Sequence, residues 1–150
     1  MRGTILSVIL FSFLITTSWS QEIIDVPQLS ERTQELVASL KKSKPEVLFT
    51  NTEVCDQKVE EVGSIDLDIV VLKTHTAIGP SCKGIGRSIF FIDGEYKGYY
   101  QSDEVYPLKI QSDTLIWATE GGREYKMLLT SELPQELNYH GLVLIPVLRN

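Results

Sequence analysis

"SIFFIDGEYKGYY", Ser88–Tyr100, decides how the chain folds. Asp93-Gly94 stands between two runs rich in aromatic and β-branched residues. A type I′ hairpin needs positive φ at both central positions, and Asp-Gly tolerates that. The turn predicts a register: Ile92 opposite Glu95, Phe91 opposite Tyr96, Phe90 opposite Lys97 and Ile89 opposite Gly98. Side chains alternate along a strand, so Ile89, Phe91 and Tyr96 share the expected core face. Tyr100 has the same parity, opposite Arg87. Phe90, Ile92 and Tyr99 fall with Glu95 and Lys97 on a mixed face.

The scheme repeats downstream. In "VYPLKIQSDTLIWAT", 105–119, a turn at Ser112-Asp113 places Ile110 opposite Leu115, Leu108 opposite Trp117 and Tyr106 opposite Thr119, giving one nearly continuous apolar face. Pro107 has no amide to donate, which requires an edge or a bulge. "EGG" allows two loops, and a three-residue turn of Glu120, Gly121 and Gly122 keeps the apolar face whole by pairing Trp117 with Tyr125 and Leu115 with Met127. "SELPQEL" reads as a short helical turn. "GLVLIPVL" reads as a final strand, with Pro146 near its edge or end.

Upstream, Asp25 to Lys44 reads as a helix. Asp25 and Gln28 suit a capping box, and Pro27 an early helical position. Leu29, Leu36, Val37 and Leu40 recur on one face. Lys41, Lys42 and Lys44 complement the negative pole of the helix, and Pro45 stops it. "EVLFT" reads as a first short strand. "IDLDIVVLKTHTAI", 65–78, reads as one long strand in which Ile65, Leu67, Ile69 and Val71 alternate with Asp66 and Asp68. The sum is a mainly β fold: an antiparallel meander forming a small barrel or a two-layer sandwich, with one N-terminal α-helix packed on it. Strands occupy about 46–148. In outline this is similar to lipocalin-like small barrels, an architectural likeness without a shared motif.

The first twenty of the 150 residues read as a cleaved signal peptide. Arg2 supplies the positive region and Ile5–Ile15 a short apolar core. Ser18 and Ser20 are the small residues before a cut ahead of Gln21. Residues 21–150 then form a single β-rich domain, exported to a periplasm or secreted, with no integral membrane segment. Lys and Arg number 14 against 20 Asp and Glu, a net charge of −6, and loss of Arg2 makes it one unit more acidic. Without a basic cluster the chain is a poor partner for nucleic acid.

The chain holds two cysteines and two histidines. In an exported chain, Cys55 and Cys82 are expected to form a disulfide, closing a loop of 27 positions worth about 3–4 kcal/mol. Cys82 as a nucleophile would need a base such as His75 or His140. "GIG", Gly84–Gly86, lacks the third glycine and the following helix of a dinucleotide loop, so a bulge or turn is expected. Asp66 and Asp68 on one side of a strand offer an acid/base or cation pair, against the simpler reading of a solvated face. With His75 or His140 they make the weak hydrolase alternative. No metal site and no cofactor are expected. Aromatic residues concentrate in the second half, and Tyr96, Tyr100, Tyr106, Trp117 and Tyr125 are the candidate ligand-binding set. The expected function is a non-catalytic exported domain that binds a small apolar or glycan ligand or a protein partner. An envelope-assembly or structural subunit is a further alternative.

Overall fold

The structure, a computed structural model, describes residues 29–50, 52–66, 68–137 and 143–146. The expected signal peptide, Asp25, Pro27, Gln28, Tyr139 and His140 lie outside the described residues. Helix α1 spans Glu31–Ser43 and is capped by Ser30, whose Oγ accepts from Thr33 N at 3.3 Å. The cap of this helix is therefore Ser30. Ser30 Oγ also donates to Glu61 Oε2 at 3.0 Å, which fixes the start of the helix to the sheet. Val37 and Leu40 are buried and Leu36 partly buried, as the helical spacing predicts, while Leu29 is buried ahead of the cap and outside the helix.

Eight strands follow: β1 Val54–Ile65, β2 Ile69–Ile78, β3 Lys83–Ile92, β4 Glu95–Gln101, β5 Val105–Gln111, β6 Thr114–Thr119, β7 Glu124–Leu128 and β8 Val143–Pro146. Strands β1 to β4 form an antiparallel sheet in chain order, and β8 adds along β4. Strands β5 to β7 form a second antiparallel meander. The fold is mainly β with a helix packed on it, and the sheets stack without closing into a barrel.

"EVLFT" is not a strand. Pro45–Leu48 forms a 3₁₀ turn, ended by Phe49 at φ 55°, and buries Val47 and Leu48 against the large sheet. The first strand is instead "VCDQKVEEVGSI", whose charged residues hide its β character. The expected long strand 65–78 is broken by a tight turn: Asp66 sits at φ 42° and Asp68 N donates to Ile65 O at 2.8 Å. Aspartate tolerates this left-handed conformation. "SELPQEL" forms no helix, because Leu137 is needed in the core and Leu133 packs beside it.

The Asp93-Gly94 hairpin holds for its first two pairs, Ile92 with Glu95 and Phe91 with Tyr96. Then one extra residue enters β4. Phe90 faces Gly98, Ile89 faces Tyr99 and Ser88 faces Tyr100. The bulge transfers Tyr100 to the Phe90 face and Tyr99 to the Phe91 face. Both faces are core. Val70, Leu72, Ile89 and Phe91 lie under the helix and the 3₁₀ turn. Val71, Phe90, Ile92 and Tyr100 lie under the small sheet, against Leu115, Trp117 and Met127. The mixed face expected for Phe90 is thus a second buried face.

In the small sheet Ile110 faces Leu115 as predicted, but Leu108 is bulged out. Pro107 faces Trp117 and Tyr106 faces Ala118. The missing amide of Pro107 is accommodated on an edge strand beside a bulge. The Glu120–Gly122 loop gives the predicted pairs, Trp117 with Tyr125 and Leu115 with Met127. Strand β8 ends at Pro146, as expected.

Candidate functional site

The two sheets do not cover each other completely. At the end of the large sheet near the β1–β2 turn, Phe90, Tyr100 and Trp117 fill the space between the layers. Their ring centres are 5.5–6.4 Å apart, and Trp117 is wholly buried. The same face continues past Ser88 without a cover. It carries Lys73 and His75 on β2, Asp56, Lys58 and Glu60 on β1, and Gly84 and Gly86 on β3. Parity along each strand dictates this: Val71, Lys73 and His75 point one way, as do Phe90 and Ser88. The chain leaving β4 forms one wall, from Ser102 to Pro107, and Glu120 adds to it. The result is an open cleft of about 370 Å³.

Its centre is an ionic ladder. Lys58 Nζ lies 2.6 Å from Glu60 Oε1, and Lys73 Nζ lies 3.7 Å from Glu60 Oε2. The hydrogen bond from Lys58, helped by attraction to Lys73 and opposed by burial, holds the Glu60 carboxyl below its ordinary pKa. Lys73 Nζ also sits 4.7 Å from the centre of the Tyr106 ring, a cation–π contact that orients the phenol at the cleft wall. Ser102 shapes the wall: its N donates to Gly86 O at 3.2 Å, and its Oγ accepts from Glu104 N and Val105 N at 3.1 Å each. Gly86 N approaches Asp103 Oδ1 at 3.5 Å, at the lip.

The predicted aromatic set is dispersed. Trp117 and Tyr100 are core, and Tyr100 donates its hydroxyl to Pro134 O at 2.7 Å. Tyr125 packs on the same core from its edge. Tyr96 lies on the opposite face, against Phe91 in a groove beside α1. Tyr106 alone of the set lines the cleft. Of the weak catalytic set, His75 is exposed in the cleft, while Asp66 and Asp68 occupy the β1–β2 turn. Asp68 precedes Ile69 at one end of β2, and His75 lies six residue steps beyond Ile69, about 20 Å along the strand. These carboxylates and His75 therefore form no pair, and Asp66 and Asp68 share no strand face. Among the described residues no hydrogen bond joins His75 to a carboxylate, and no three His, Cys, Asp or Glu side chains are grouped to hold a metal ion.

Cys55 and Cys82 are bonded, with Cα atoms 5.8 Å apart. The bridge ties a bulged residue at the start of β1 to the β2–β3 turn, beside the Asp56 end of the cleft. The expected turn or bulge at "GIG" is absent, since Gly84 and Gly86 lie in the unbroken β2–β3 ladder. Arg87 is spent on the other face. Its Nη1 donates to Glu46 O at 2.8 Å and Val47 O at 2.7 Å, and its Nε to Gln101 Oε1 at 3.0 Å. The guanidinium lies between the rings of Phe49 and Tyr99, 3.7 and 4.4 Å from their centres. Burial draws its pKa below the ordinary arginine value.

Sequence reasoning missed Asp56, Lys58, Glu60, Lys73 and Asp103. The available signal was alternating charge along 56–60, which reads as solvated surface until the strand is recognised. No protein-family model, curated protein or solved structure matches the chain.

Proposed function

We propose that this protein is an exported, non-catalytic binding domain that takes a polar, hydroxyl-rich ligand, a glycan segment, in the uncovered half of its large sheet. One observation carries the reading: a single sheet face is packed dry at one end and left open, concave and polar at the other. A sugar ring needs hydrogen-bond donors and acceptors at short intervals and a flat apolar partner for its C–H face. Lys58, Asp56 and Asp103 offer the first, and Tyr106 offers the second. An apolar ligand would need a dry cavity, and the space between the sheets is filled by Phe90, Tyr100 and Trp117. The Cys55–Cys82 disulfide is compatible with export, and no helix among the described residues is long and apolar enough to cross a membrane.

The test is an oligosaccharide array probed with residues 21–150, followed by calorimetry of the strongest binder. Tyr106→Ala and Asp103→Ala are each expected to weaken binding about tenfold, equivalent to about 1.4 kcal/mol, without abolishing the cooperative unfolding transition. Absence of binding to every oligosaccharide, or binding indifferent to both substitutions, would contradict the proposal.

A further inference from the structure

Glycine at 84 and 86 is explained by space and not by backbone conformation. Both residues pair regularly with β2, Gly84 with Ala77 and Gly86 with His75. A Cβ on Gly86 would stand 2.6 Å from Ser102 O, so that position is bare to let the cleft wall approach. A Cβ on Gly84 would stand 2.7 Å from His75 Cε1 and 2.9 Å from His75 Nε2. Both separations are shorter than real Cβ contacts allow. His75 therefore lays the Cε1–Nε2 edge of its imidazole across the strand gap, onto the bare backbone of β3. Any side chain at 84 would push the ring up into the cleft. The ring is exposed and belongs to the cleft lining, on the same face of β2 as Lys73 beneath Tyr106.

We propose that Gly84 is a positioning residue whose missing side chain seats the His75 imidazole on the cleft floor, where the imidazole contacts the ligand next to Tyr106. The proposal rests on the cleft being the ligand site. It assigns a direct contact to His75 and an indirect role to Gly84, and involves no bond-making chemistry.

Two readouts test it. The first needs no ligand: carbethoxylation of His75 by diethyl pyrocarbonate, followed by peptide mass mapping so that His140 is read separately. Seating packs Nε2 against β3, so Gly84→Ala is expected to speed modification of His75 several-fold. The second is calorimetry with the strongest oligosaccharide from the array. His75→Ala and Gly84→Ala are each expected to weaken binding about 3–10-fold, the loss of one hydrogen bond. The double variant is expected to bind like His75→Ala alone, because residues acting through one contact are not additive. The double variant also has room for the new Cβ, so it recovers any melting temperature lost by Gly84→Ala. An unchanged rate of His75 modification in Gly84→Ala would overturn the seating. Independent, additive losses in the double variant would overturn the positioning role. If no oligosaccharide binds the wild type, the ligand contact falls with the reading beneath it, and the modification rate still decides the seating.

Discussion

Arg87 is 9% exposed and its hydrogen bonds run to backbone carbonyls of the 3₁₀ turn and to Gln101. Its removal would strand the buried Val47 carbonyl and empty the space beside Phe49 and Tyr99. Arg87→Met is expected to cost about 2–4 kcal/mol in urea unfolding. Arg87→Lys should recover little, since an ammonium cannot match the planar fork or stack between rings. Tyr100 is a second buried polar group at this scale. Burial pushes its hydroxyl up to about 12, and burial beside α1 raises Tyr96 as well. Below the ordinary tyrosine pKa both folded and unfolded chains keep these protons. Between about pH 10 and 12 the unfolded chain releases them first, so stability should fall with rising pH in that window. Urea midpoints measured across it should decline, and Tyr100→Phe should flatten the decline. At this scale the cysteine pair was legible, because a chain with two cysteines leaves each a single partner. Arg87 was not legible, because its partners are carbonyls, which every residue has.

Whole elements were legible wherever a turn residue fixed them, and their far ends were lost wherever a bulge followed. Asp93-Gly94 specified the pairing of Phe91 with Tyr96, yet nothing local announces the extra residue that shifts Tyr100 across the sheet. Pro107 did announce an irregularity, and the bulge falls on its neighbour. Leu108 is consequently 47% exposed, whereas Leu115 is wholly buried. A regular ladder would have set Leu108 against Trp117 in the core. The two registers give opposite expectations for one substitution. Leu108→Lys should change stability by no more than about 0.5 kcal/mol, as at other exposed sites, while Leu115→Ala should cost about 2–5 kcal/mol. A large loss for Leu108→Lys in thermal or urea melts would restore the regular register. Strand β1 escaped the sequence reading because its alternation is charge against charge: Asp56, Lys58 and Glu60 face the cleft, while Gln57 and Glu61 bond toward the 3₁₀ turn and the helix.

For the whole molecule, the large sheet has one face closed by α1 and the 3₁₀ turn and the other closed over half its length. The mainly β class and the covering helix followed from turn chemistry and periodicity. The half-covered face did not, because it depends on how far the β5–β7 meander reaches over β2 and β3, and no local pattern encodes that reach. The cleft is the consequence, and its ligand role is the central claim. Nuclear magnetic resonance mapping with the strongest array oligosaccharide tests it most directly. Titration into ¹⁵N-labelled protein should shift the amides of Lys58, Lys73, His75, Gly84, Gly86 and Asp103 together, and leave Leu115, Trp117 and the Tyr96 groove beside α1 unmoved. Shifts centred on Tyr96 and α1, or no saturable shift in the cleft, would contradict the account.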